Sequence, residues 1–207
     1  MAFLVFPINY LLGSLPCGFI VTWVLRGVDL RKYGSGNIGA TNVSRVAGFF
    51  PALLAGVGDA LKGFLGAYLA FRFFGTSPLF LLAAFLVVVG HDWSCFLKFK
   101  GGKGVATTLG VLFFLSWQVA LLCFLTWVLV VAFTRYSSLG SLSGAAAMPG
   151  LLLLFHRPFV FVWWGILAAL LVFIRHKDNL RRLLQGKELK IGEKGCGESE
   201  RRGFGIE

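Results

Sequence analysis

Three stretches of this 207-residue chain concentrate the residue types that hold anions. Residues 34–45 read G-S-G-N-I-G-A-T-N-V-S-R, residues 98–108 read K-F-K-G-G-K-G-V-A-T-T, and residues 175–194 read R-H-K-D-N-L-R-R-L-L-Q-G-K-E-L-K-I-G-E-K. In the first island, Gly34, Gly36 and Gly39 can bring backbone N–H groups close to an anion, and a following helix N-terminus would add donors and a favourable dipole. Ser35, Thr41, Asn42 and Ser44 contribute side-chain donors, and Arg45 adds a planar fork suited to phosphate. In the second, Gly101, Gly102 and Gly104 form a nest around Lys103 and open a helix that carries Thr107 and Thr108. In the third, His176 and Asn179 are three apart and share a helix face, while Asp178 points elsewhere.

Other chemistries fit these residues poorly. Gly34, Gly36 and Gly39 spell G-x-G-x-x-G, but a dinucleotide site needs a preceding buried strand and an acidic residue on a second strand about 20 residues on. Here an apolar run precedes the motif, and Asp59, at the right distance, lies inside another. K-G-G-K-G is not a P-loop, because Leu97 and Gly104 stand where that motif needs Gly and Ser/Thr. His91-Asp92 cannot act as a dyad on one helix, since adjacent side chains diverge, and no H-x-x-x-x-D occurs. It reads as structural. Asp59 and Lys62 are spaced to pair and so lower the cost of charge within a membrane. His156 falls in a turn. The four cysteines (Cys17, Cys95, Cys123, Cys196) form no C-x-x-C pair, so neither a disulfide framework nor a metal site is expected. Each island also has a plainer reading: an interfacial Gly-rich loop, a flexible positively charged loop, and a basic helix lying on lipid.

The elements that must position these islands are membrane spans. The chain is 57% hydrophobic and 14% charged, with a mean hydropathy of +0.79. Soluble domains are about 45–50% apolar and about 25% charged. Apolar stretches cover roughly 2–25, 50–71, 79–97, 104–134, 138–155 and 158–174. The fourth, at about 45 Å as one helix, is long for a single crossing, and a break at Ser116-Trp117-Gln118 would divide it. Seven crossings with the N-terminus outside put 17 Lys/Arg on the inner side and only Arg72 and Arg157 on the outer, with Lys62 within a span. That asymmetry is the positive-inside signature. The first segment lacks a basic n-region and is too long for a cleavable signal, so it reads as a span that stays. The expectation is an all-α polytopic integral membrane protein of about seven transmembrane helices, its C-terminus and all three islands cytoplasmic. The net charge of +11 then follows from orientation and attraction to anionic lipid rather than nucleic acid.

Together, G-S-G-N-x-G-A-T-N-V-x-R, K-F-K-G-G-K-G-V-A-T and R-H-x-x-N-x-x-R-L-L-x-G-x-E resemble the bacterial acyl-phosphate:glycerol-3-phosphate acyltransferases, the PlsY family. D-x-x-K-G from Asp59 and the Gly90-His91 pair also fit, over residues 1–194 as a single domain. Ile38 departs from the more usual Pro, and residues 195–207 fall outside the pattern as a lineage extension or appended remnant. The resemblance implies acyl transfer from a long-chain acyl-phosphate to the 1-hydroxyl of glycerol-3-phosphate, without a cofactor, at the cytoplasmic face of the bacterial inner membrane. It implies catalytic roles for Ser35, Arg45, Lys103, His176 and Asn179. Substrate contacts fall to Gly34, Gly36, Asn37, Gly39, Thr41, Asn42, Gly101, Gly102, Gly104 and Thr107. No His–carboxylate dyad is expected, and either the substrate phosphate or His176 takes the hydroxyl proton. A transporter for a phosphorylated metabolite is the alternative, though islands gathered at one face and no visible internal repeat argue against it.

Overall fold

The computed structural model describes residues 2–193, which leaves Cys196 and the tail 195–207 outside the described residues. Ten α-helices and three short 3-10 turns occur among them, with no strand. The helices are α1 (Val5–Ser14), α2 (Cys17–Arg26), α3 (Ala40–Ala47), α4 (Phe49–Phe74), α5 (Pro78–Asp92), α6 (Val105–Leu115), α7 (Trp117–Thr134), α8 (Ser137–Leu154), α9 (Phe159–Arg175) and α10 (Lys177–Leu184). Five segments are long and apolar enough to cross a membrane, and a sixth results if α9 and α10, bent by 60°, are taken as one.

Two apolar stretches are broken where one helix would be too long or too stiff. The stretch at 2–25 divides at Leu15-Pro16, because Pro16 lacks the N–H that would continue the helix. The 104–134 stretch divides at Ser116, which is extended (φ −164°, ψ 101°). The 11 residues of α6 make a helix of only about 16 Å. Arg157 clamps the break, donating to Ser116 Oγ at 3.1 Å and Gln118 Oε1 at 2.8 Å.

Within the bundle, α1 packs on α5 and α4 on α6 at backbone contact. A Cβ at Gly13 would lie 2.0 Å from Val87 O, and one at Gly110 would lie 1.8 Å from Ala60 O. Small residues allow such approach where apolar association alone has no driving force in lipid. Buried Asn9 stitches the bundle, its Nδ2 donating to Gly66 O and Ala83 O. The outer surface is apolar instead of charged: α7 exposes Leu125, Leu129 and Phe133, the last at 86%. In water such a face would be an aggregation patch, whereas against acyl chains it is the expected solvent contact.

The helices alternate between two ends. One end carries the Phe6–Phe74 stack and the Arg157 clamp. The other gathers α3, α10 and all three polar islands.

Candidate active site

At the island end, the first island folds around one buried side chain. Asn42 donates through Nδ2 to Tyr33 O (3.0 Å) and Asn37 O (2.9 Å), and its Oδ1 accepts from the Ser35 amide (2.9 Å). Asn37 closes an Asx turn by accepting from the Gly39 amide at 2.9 Å. The Gly36 amide donates to Tyr33 O at 3.0 Å. Ile38 is buried with Leu30, Val43, Ala47, Ala52, Ala55 and Leu97, seating the loop on an apolar base.

The second island is laid across the end of α5. The amides of Gly101 and Gly102 donate to Asp92 O (3.2 Å) and His91 O (3.0 Å). Arg175 straps the same loop from above, its Nη2 donating to Gly102 O at 2.7 Å and its guanidinium stacking on Trp93. Underneath, His91 Nδ1 lies 2.9 Å from Lys62 Nζ, which pairs with Asp59 at 2.8 Å, as their spacing predicts. His91 thus meets Asp59 and Lys62 on α4 rather than its neighbour Asp92. Gly104 (φ +68°) turns the chain into α6, where Thr107 is buried with its carbonyl beside Gly63 of α4.

Here the geometry revises an expectation. The amides of Ser35, Gly36, Gly39, Gly101 and Gly102 are engaged by the protein itself, so these glycines provide turns and close packing, and their N–H groups do not form an open anion nest. What remains for an anion, among the described residues, is side chains together with the amides of Gly34, Lys103 and Gly104, which make no internal hydrogen bond. Ser35 is exposed at the loop tip. Arg45 donates through Nη2 to Leu189 O at 3.3 Å, while its buried Nε has no partner among the described residues. Lys103 donates to Asn179 Oδ1. Burial lowers the pKa of Lys103 to about 8, a shift opposed by the nearby Glu188 carboxylate and reinforced by Arg182, Arg45 and Arg175.

The third island supplies the other wall. Asn179 and His176 are buried, while Lys177 and Asp178 face out, as the helix spacing predicts. His176 Nδ1 is 2.8 Å from Val172 O, so that nitrogen carries the hydrogen and Nε2 is the acceptor. Burial, and then the Lys103 charge, lower its pKa to about 4. Glu188, outside the expected set, accepts from Asn179 (2.5 Å), Ser138 (2.8 Å) and Arg182 (2.8 Å). Thr41 is 3.0 Å from the hydroxyl of Ser137, joining the first island to α8.

Lys103 therefore meets the third island through Asn179, and Arg45 meets it through Leu189: three segments far apart in sequence converge on one cationic cluster. The family model of the glycerol-3-phosphate acyltransferases matches residues 3–186. The chain belongs to the glycerol-3-phosphate acyltransferase family. It is 46% identical to glycerol-3-phosphate acyltransferase 2 of Moorella thermoacetica over 94% of this chain and 100% of that protein. It is 47% identical to the glycerol-3-phosphate acyltransferase of Thermus thermophilus over 89% of this chain and 92% of that protein. Its fold is that of PlsY (YgiH), described as an integral membrane glycerol 3-phosphate acyltransferase and solved in glycerol 3-phosphate and lysophosphatidic acid forms. The TM-scores are 0.87 and 0.86 at 40% and 38% identity, with 92% of this chain covered in each case and 96% and 95% of the solved chains. This chain is accordingly an integral-membrane acyltransferase, and the cluster at its polar end is the candidate site of its chemistry.

Proposed function

We propose that the protein transfers a long-chain acyl group from acyl-phosphate to the 1-hydroxyl of glycerol-3-phosphate, giving lysophosphatidic acid and inorganic phosphate for phospholipid synthesis. The observation that carries this reading is the convergence of Arg45, Lys103 and Asn179 at the end of an apolar bundle, where a phosphate and a lipid tail can be held together. The bundle crosses the bacterial inner membrane seven times, counting α1–α2 as one crossing, with the N-terminus outside and the site at the cytoplasmic face. Seventeen of the 20 Lys/Arg on the inner side support that orientation. Residues 1–194 act as one domain, and no cofactor takes part.

In this reading Lys103 faces the acyl-phosphate, neutralising charge that builds on the carbonyl oxygen and the departing phosphate, where preorganised donors are most effective. Ser35, Arg45 and the free Nε2 of His176 receive glycerol-3-phosphate, and Thr41, Asn42, Asn37 and the glycines hold the loops that present them. The 1-hydroxyl oxygen attacks the acyl carbonyl carbon, and the bond from that carbon to the phosphate oxygen breaks. The hydroxyl proton passes to the phosphate of glycerol-3-phosphate, whose second pKa is near ~6. A His176 ring with a pKa of about 4 is too weak a base for neutral pH, which favours this substrate-assisted route. An acyl-phosphate is already activated, so a strong base is unnecessary.

The test is release of inorganic phosphate from palmitoyl-phosphate by purified protein in detergent. The expected result is release that depends on glycerol-3-phosphate, with a matching amount of lysophosphatidic acid. Turnover of acyl-CoA but not acyl-phosphate would overturn the donor assignment. Uptake of glycerol-3-phosphate into proteoliposomes without any acyl donor would favour transport instead.

A further inference from the structure

We propose that Glu188 is a positioning residue of this site: its carboxylate fixes the orientation of the Asn179 amide and, through it, holds Lys103 at the reacting phosphate. The placement of Lys103 at that phosphate rests on the function proposed above. The polarity of the chain Lys103–Asn179–Glu188 rests on geometry alone.

Asn179 is buried between a cation and an anion. Its Nδ2 donates to Glu188 Oε1 at 2.5 Å, and its Oδ1 accepts from Lys103 Nζ. An ionised carboxylate only accepts hydrogen bonds and an ammonium only donates them. Flipping the amide would set two acceptors together at one end and two donors at the other. Glu188 therefore leaves Asn179 a single orientation, with its oxygen toward Lys103.

Glu188 is itself held firmly enough to act this way. Ser138 Oγ at the start of α8 donates to Oε1 at 2.8 Å, and Arg182 Nε on α10 donates to Oε2 at 2.8 Å. Desolvation pushes its pKa up, but the bonds from Asn179, Ser138 and Arg182 outweigh this and leave it below the usual carboxylate value, hence ionised at neutral pH. Gly186 (φ +65°) turns the chain out of α10, and the stretch of backbone that follows is pinned on both sides. Arg45 donates to Leu189 O, while Arg135 exchanges bonds with the backbone of Ile191 at 2.8 and 2.9 Å.

The charge balance points the same way. Lys103 is surrounded by Arg45, Arg175 and Arg182, all of which favour loss of its proton, with neutral His176 alongside. Glu188 is the carboxylate that opposes them. Removing its charge should both loosen the Asn179 amide and let Lys103 deprotonate at lower pH.

The test compares wild type with Glu188→Gln, which keeps the volume, and Glu188→Ala. Phosphate release is followed from about pH 6 to 9, on either side of the substrate phosphate and Lys103 titrations. Lys103 is titrated separately by NMR after reductive methylation with labelled formaldehyde, its resonance identified by its loss in Lys103→Met. In Glu188→Gln we expect kcat to fall at least about tenfold, the scale seen when groups that orient a site's ligands are removed. KM for glycerol-3-phosphate should change less, and both the alkaline limb of kcat/KM and the Lys103 titration should move to lower pH. An unmoved limb and an unmoved titration, with only the thermal midpoint lowered, would reduce Glu188 to a tie in the backbone and overturn the inference. A wild-type enzyme that releases no phosphate would sink the donor assignment instead, leaving the Lys103 titration to decide the role of Glu188.

Discussion

Gly102 lies directly on His91: its amide donates to His91 O at 3.0 Å, and a Cβ built on it would stand 2.1 Å from His91 Nε2. The ring cannot swing away freely, because Nδ1 is engaged with the buried Asp59–Lys62 pair. The loop that carries Lys103 is thus seated on a charged buttress inside the bundle.

Gly102→Ala should therefore displace the 101–104 loop and Lys103 with it. A shift near 1 Å at a reacting group costs about 10²-fold in turnover, and that is the loss expected in a phosphate-release assay. Gly150→Ala is the control. A Cβ there meets nothing within 4 Å, so activity should stay within about twofold, with stability rising by up to about 1 kcal/mol from helix propensity. Equal losses in the two variants would remove the loop-seating argument.

Lys103 acts as a cation in the proposed reaction, and burial brings its pKa to about 8. The protonated form prevails below that value, so kcat/KM, which reports the free enzyme, should decline as pH rises through about 8. A bound phosphate dianion favours the ammonium, so kcat should hold to higher pH than kcat/KM. Lys103→Met should abolish this limb and reduce turnover at least about 10²-fold, as with other transition-state donors. A Met variant near the wild-type rate would remove Lys103 from the chemistry.

How much of this was legible beforehand differs by residue. The three islands stood out because Gly, Asn and basic residues are conspicuous against 57% apolar sequence. The break at Ser116 was visible from length and a polar triplet. The direction of the glycine amides was not, since a Gly-rich loop reads the same whether its N–H groups face a ligand or, as at Gly101 and Gly102, the end of α5. His91 was weighed only against its neighbour Asp92, and its real partners, on α4, are 29 and 32 residues away in sequence. Glu188 stood out only as the closing position of the third motif, R-H-x-x-N-x-x-R-L-L-x-G-x-E, with no role attached to it. Its meaning depends on the turn at Gly186 that folds it back onto Asn179 and Ser138.

His176 presents Nε2 with its ring neutral, and its pKa of about 4 lies below the working range. The acid limb of the rate profile should then follow the substrate phosphate near pH ~6. His176→Gln should raise KM for glycerol-3-phosphate while leaving the position of that limb unchanged. If the limb vanished or moved by a full pH unit in the variant, His176 would be the base and substrate assistance would fail.

The Asp59–Lys62 pair distinguishes structural from catalytic charge. Both side chains are almost fully buried, 2.8 Å apart on successive turns of α4, and Lys62 also donates to Leu15 O at the break between α1 and α2. Removing one partner of such a pair leaves an uncompensated buried charge and costs about 3–5 kcal/mol, whereas replacing both by apolar groups of similar size is often nearly neutral. Asp59→Leu alone should lower the unfolding free energy in detergent by about that amount. Asp59→Leu with Lys62→Met should recover more than half of it, although His91 loses its carboxylate in both. Because His91 supports Gly102, the double variant should fold yet turn over more slowly than wild type. A double variant as unstable as Asp59→Leu would mean that Lys62 stabilises the bundle mainly through Leu15 O, and that the ion pair itself contributes little.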